Sequence, residues 1–258
     1  MLDVFKTRWE LVLSASAFRW VSRPAWGKGP AQCVAQMDLD SPLQGADRLA
    51  ALASFLASPP VRFRPVRVSL DDSWLYATQV APLQNAERWQ DVQAYTAMRL
   101  QEVFELTQPL KVVMAPVHDA PYWACAVLQS DLQALRDLLS AQRLAMASCV
   151  PQWAVVWNHV AGQVPEDEAV LLVQPQGSHL VLSRQGQVYA VRHWPLAFSS
   201  LPPGQCEDLL AQAFRRQGLS MPERMGWMGI GALPQAQGLH WHRLGDVADV
   251  LSVWSVQP

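Results

Sequence analysis

The chain has 258 residues, half of them hydrophobic, and 20 Lys and Arg against 22 Asp and Glu give a formal charge of -2. That length buries one large core or two moderate ones without staples, and the near-neutral balance supplies no long-range field for gathering nucleic acid or anionic lipid. The four cysteines, Cys33, Cys125, Cys149 and Cys206, are far apart and match no disulfide framework or zinc spacing, so they read as reduced, buried thiols.

Asp3, Lys6, Arg8 and Glu10 interrupt the apolar character of residues 1–20, which therefore do not read as a signal peptide. No stretch reaches the roughly 20 apolar residues of a membrane span. The expectation is a cytoplasmic protein that meets a membrane through a partner. Groupings such as Arg62, Arg64 and Arg67, or Arg215 with Arg216, read as solvated faces of ordinary elements.

In chain order, residues 10–14, 17–22 and 31–39 read as a three-stranded meander. Leu49, Leu52, Ala53 and Leu56 then recur at helical spacing over 46–57, and Pro59-Pro60 ends that helix. Strands follow at 66–70 and 74–80 around Asp71-Asp72-Ser73, then an amphipathic helix over 85–104. Two more strands, 110–115 and 122–128, lead to a helix that Ser130-Asp131 caps and that runs to residue 142. A short strand at 146–150 precedes a helix opened by Pro151.

The second half repeats the opening. Strands at 169–173, 179–183 and 188–194 turn at Pro175-Gln176-Gly177 and Arg184-Gln185-Gly186. A helix over 206–217 ends at Gly218, and a strand returns at 224–229. Strands alternating with helices predict an α/β architecture. Each half has three strands, a helix and a strand, with residues 66–145 reading as an insertion in the first. The duplication is one of topology, without a residue-level repeat.

The segment AVLLVQPQGSHLVLSRQGQVYAVRHWPL, from Ala169 to Leu196, runs strand, glycine turn, strand, x-x-Gly turn and a strand ending in an apolar-proline step. In that order it resembles the second phosphate-loop hairpin of the PilM family of pilus assembly proteins. The stretch DLQALRDLLSAQRLAMASCVP, from Asp131 to Pro151, also resembles PilM and the cytoplasmic domain of the GspL family of type II secretion proteins. In both, a helix leads to a strand near the return from an inserted subdomain.

The resemblance implies an actin-like ATPase (ribonuclease H-like) fold of two lobes with an inserted small α/β subdomain. Residues 1–65 and 146–165 would form the first lobe, 66–145 the insertion and 166–258 the second lobe. It also implies a role as a cytoplasmic scaffold or adapter of a type IV pilus or type II secretion assembly platform. The implied partner is the short cytoplasmic peptide of an inner-membrane protein, with a motor ATPase as a further contact and a homodimer left open; nucleic acid is not among the expected partners. The alternative is a working ATPase or small-molecule kinase of the same fold.

Actin-like ATPases meet phosphate at two Asp-x-Gly turns, whose backbone amides approach the anion and whose carboxylates position the hydrated metal. The matching turns here read Ser14-Ala15-Ser16 and Gln174-Pro175-Gln176-Gly177, so both acids and the first glycine are missing. The glycines that pack against adenosine would be drawn from Gly226, Gly229 and Gly231, although glycine also lets a strand turn tightly into its loop, which is the favoured reading. The resemblance thus implies a degenerate nucleotide cleft at Ser14, Ser16, Gln174, Gly177, Ser178, Gly229 and Gly231. No residue is assigned to catalysis or to a metal, no cofactor is expected, and Mg-ATP binding is expected to be weak or nil.

Elsewhere His240 and His242 share one face of a strand, His118-Asp119 lies in a loop, and Asp71-Asp72 and Glu166-Asp167-Glu168 sit at turns. Each reads as packing, capping or solvation. Twelve tryptophans are many for this length, and those on mixed faces suit an interface. The family's membrane-partner peptide binds in a groove between the first subdomain and its insertion. That puts the expected peptide contact at Trp74, Tyr76, Trp89 and Tyr95.

Overall fold

The computed structural model describes residues 7–24, 31–83, 88–114, 121–165, 168–174, 177–229, 236 and 238–244. The opening meander is β1 (Thr7–Leu13), β2 (Ala17–Pro24) and β3 (Gln32–Asp38), each antiparallel to the next. Period-two alternation puts Leu11 and Leu13 on one face, opposite Trp20 and Phe18 in register, and all four are buried. Helix α1 (Gly45–Leu56) lays Leu52 and Leu56 on that face.

Strand β4 (Pro65–Leu70) pairs parallel to β1, and β8 (Ala145–Pro151) pairs parallel to β4, giving the order β3-β2-β1-β4-β8. Residues 66–70, expected in the insertion, therefore belong to the first large sheet. The reason is packing: Val66, Val68 and Leu70 alternate into the same core as Leu11, Leu13 and Leu52.

The chain between β4 and β8 forms β5 (Tyr76–Val80), α2 (Trp89–Val103), β6 (Leu110–Met114), β7 (Tyr122–Leu128) and α3 (Gln129–Ala141). The three strands make an antiparallel sheet, β5-β7-β6, with its own core of Val80, Leu100, Val112, Tyr122, Ala124 and Ala126. Trp74 does not start a strand as expected. It closes a single 3-10 turn, Asp72–Trp74, because the Asp71 carboxylate accepts the Ser73 N–H. Nor do Ser130 and Asp131 cap α3; the helix has already begun at Gln129, and the Asp131 carboxylate turns to Arg48, 3.5 Å away.

Helix α4 (Gln152–Val160) leads to β9 (Ala169–Gln174), β10 (Gly177–Arg184) and β11 (Gln187–Trp194), then α5 (Pro203–Arg216) and β12 (Arg224–Gly229). A further strand, β13 (His240–Arg243), runs parallel to β12, so the second sheet has the order β11-β10-β9-β12-β13. This repeats the first sheet strand for strand, two antiparallel steps and two parallel ones. Its core gathers Leu171, Val173, Leu180, Phe198, Leu210 and Met225. The chain divides into two units, Met1–Val155 and Val156–Pro258.

Candidate functional site: two turns and an aromatic surface

The β1–β2 turn keeps its hydrogen bonds inside the chain. The Ser14 N–H donates to the Ala17 carbonyl at 3.0 Å, and the Ser14 hydroxyl accepts the Ala17 N–H at 3.0 Å. The Ala15 N–H donates to Asp71 Oδ2 at 2.6 Å, while Asp71 is held in turn by its own N–H on the Leu13 carbonyl at 2.9 Å. Ser16 offers its carbonyl to the Leu39 N–H at 2.8 Å. A carboxylate from the end of β4 thus occupies the Ala15 N–H. Burial pushes the Asp71 carboxyl above its ordinary range, and bonds from Ser73 and Ala15 pull it partway back.

In the second unit Gly177, the first residue of β10, is closely packed. A Cβ built on Gly177 would meet the His193 imidazole at 2.8 Å and the Trp194 carbonyl at 2.9 Å, so this position must be glycine whether or not a ligand approaches. His193 stacks on its cross-strand neighbour His179, ring centres 4.8 Å apart. Ser178, fully buried, donates to the Leu196 carbonyl and accepts the Phe198 N–H, both at 3.0 Å, which ties the exit of β11 to β10. Gln174, the last residue of β9, is also buried.

Gly229 serves the backbone as well. A Cβ there would fall 2.5 Å from the Val173 Cβ and 2.6 Å from its carbonyl oxygen, because parallel β12 and β9 pair at that point. Gly226 is similarly pressed by Leu244 and Val170. Gly231 lies outside the described residues, as do Pro175 and Gln176.

No family model matches the chain, and no curated protein matches it. Solved structures do. The cytoplasmic domain of EpsL, an inner-membrane component of the type II secretion system of Vibrio cholerae, is 16% identical at TM-score 0.56, over 96% of this chain and 93% of that one. A Bacteroides thetaiotaomicron protein with an actin-like ATPase fold is 10% identical at TM-score 0.60, over 98% and 97%. The PilM-PilN type IV pilus biogenesis complex matches at 15% identity and TM-score 0.56, over 95% and 96%. The fold is actin-like.

The aromatic residues expected at a peptide groove separate into two kinds. Trp74 is 2% exposed and belongs to the core of the first unit, its ring capped by the Arg48 guanidinium at 3.5 Å. Arg48, itself buried, also donates to the Ser73 carbonyl at 2.8 Å and pairs with Asp131 on α3. Tyr76 is half-buried and meets Phe104 edge-on, ring centres 5.4 Å apart. Trp89 is 55% exposed at the start of α2, whereas Tyr95, on another side of that helix, packs against the small sheet. The structure therefore joins Tyr76 to Phe104, leaves Trp89 open, and makes Trp74 a support.

Sequence reasoning missed Asp71 as the partner of Ala15, Arg48 as the cap of Trp74, and His193 as the cover of Gly177. It also left Glu168 and His242 apart, although Glu168 Oε1 lies 3.2 Å from His242 Nε2. Burial pushes the Glu168 carboxyl up, and the neighbouring His242 and Arg224 oppose the shift. Partners brought together by strand pairing leave no local spacing to read.

Proposed function

We propose that this chain is a binding component and not an enzyme: a scaffold in a type IV pilus or type II secretion assembly platform, holding the short cytoplasmic segment of an inner-membrane protein. One observation carries the loss of chemistry. Where the resemblance sets the two phosphate-approach turns, the Ala15 N–H is taken by the Asp71 carboxylate, and the His193 ring lies where a Cβ on Gly177 would go. A nucleotide enzyme of this fold needs open amides and metal-positioning acids there, and Ser14 and Gln174 supply neither.

The platform context comes from the likeness to the EpsL cytoplasmic domain and to the PilM-PilN complex. On this reading the protein works at the cytoplasmic face of the inner membrane, and among its described residues no helix is long and apolar enough to cross a membrane. The peptide contact is assigned to the inserted subdomain, at Tyr76 with Phe104 and at Trp89. Aromatic side chains of this kind bury large areas at modest entropic cost. A motor ATPase and a second copy of the chain are further partners of the same reading.

The test is affinity purification of the full chain from its own cells, followed by titration of the cytoplasmic peptide of the membrane protein recovered. Tyr76→Ala and Trp89→Ala should each weaken that peptide by roughly ten-fold, the loss expected of an interface aromatic. Recovery of no pilus or secretion protein would sink the platform role. Magnesium-dependent ATP turnover above background, lost on substituting Gly177, or nucleotide-dependent thermal stabilisation, would overturn the non-enzymatic half.

A further inference from the structure

One end of the first sheet concentrates arginine that the whole-chain charge conceals. The parallel register of β1 and β4 puts Arg67 beside Glu10, and antiparallel β2 sets Arg23 directly opposite Arg8. Alternation keeps Arg8, Arg23 and Arg67 on one sheet face. Just beyond the strand ends, the segments entering β4 and β8 add Arg62, Arg64 and Arg143. Arg8, Arg62, Arg67 and Arg143 are exposed. Glu10, the acid among them, is buried and held by Arg23 at 2.9 Å and by the Ser69 hydroxyl. Arg8 and Arg23 carry like charge directly opposite each other, and the buried Glu10 compensates Arg23.

The turns at this edge are also shaped against local preference. Phe63 has φ 56° and Arg143 φ 59°, the left-handed region that bulky residues rarely adopt. The Phe63 N–H donates to the Arg143 carbonyl at 2.9 Å, and the Arg143 guanidinium lies 5.4 Å from the phenyl centroid. The outcome is a phenyl ring 70% exposed, held out in water with cationic groups around it.

We infer that this edge docks on an anionic phospholipid surface. Guanidinium groups take phosphate oxygens in a fork geometry, several arginines along one edge meet a planar charged surface together, and a projecting aromatic ring enters the headgroup boundary. A projecting turn does not enclose a peptide, which favours the lipid surface over an acidic protein segment. The inference stands apart from the platform reading and uses none of its residues.

The experiment is co-sedimentation of the full chain with vesicles of phosphatidylcholine alone and with an equal mixture of phosphatidylcholine and phosphatidylglycerol, at low and physiological salt. Binding is expected to the mixed vesicles, far above the neutral ones, and to weaken with salt. Arg62→Gln with Arg143→Asn, the asparagine tolerating positive φ, should lower it roughly ten-fold or more, given the attraction per basic residue near an anionic leaflet. Phe63→Gly should weaken binding while its salt dependence stays. Arg215→Gln with Arg216→Gln, on exposed positions of α5, should leave it unchanged. If melting shows the first double variant unfolded, Arg8→Gln with Arg67→Gln tests the same edge. Equal binding to both vesicle types, or an equal loss in the α5 variant, overturns the inference. So does capture of soluble poly-glutamate through these arginines without vesicle binding, which would make the partner an acidic protein.

Discussion

The Ala15 N–H donates to Asp71 Oδ2 at 2.6 Å, so the first turn of the meander is bonded to the residue that follows β4. The Asp71 carboxyl is pushed up by burial. A folded-state pKa above the unfolded one means the folded chain takes up the proton more readily. The contribution of Asp71 to stability is then fully present below its unfolded pKa and is lost as pH rises through the folded one. Asp71→Asn, which does not titrate, should therefore gain on wild type as pH rises from acid towards neutrality. Melting curves of both proteins across that range check it; a difference that stays flat with pH would mean that folding does not shift the Asp71 pKa.

Arg48 joins three elements through Trp74, Ser73 and Asp131. Arg48→Ala leaves a largely buried carboxylate without its partner and uncovers an indole face, so it should cost about 3 kcal/mol in denaturant unfolding. Arg48→Met keeps the stem and should recover part of the loss.

Two glycines should respond in opposite directions. Gly229→Ala drives a methyl group into Val173 and should cost about 2 kcal/mol by separating β12 from β9. Gly204, in α5, has nothing within 4 Å of a built Cβ. Gly204→Ala should stabilise by up to about 1 kcal/mol through helix propensity. Thermal melts of the two variants give the comparison.

His242→Ala removes the group beside Glu168 Oε1 and leaves that buried carboxylate short of a partner. The expected cost is about 2 kcal/mol. It should appear first as faster amide hydrogen exchange in β13, the outer strand that His242 belongs to.

Element order was legible because it rests on alternation: Leu11 with Leu13, and Val66 with Val68 and Leu70, announce a buried face from their spacing alone. Which sheet a strand joins is not written in its own pattern, which is why β4 read as part of the insertion. Trp74 and Trp89 both stand beside polar residues, yet one is 2% exposed and the other 55%. Trp74 packs into the first unit's core with Arg48 of α1 over its ring, and no periodicity links those partners. That Ser14 and Gln174 stand where the resemblance expects acids could be read directly. The partners beside them could not, since Asp71 reaches Ala15 across 56 positions and His193 reaches Gly177 from another strand.

The two sheets repeat one strand order, yet the residues beside their first hairpin turns are held by different chemistry: a carboxylate arriving from the end of β4 bonds the Ala15 N–H in one, and an imidazole arriving from β11 lies where a Cβ on Gly177 would go in the other.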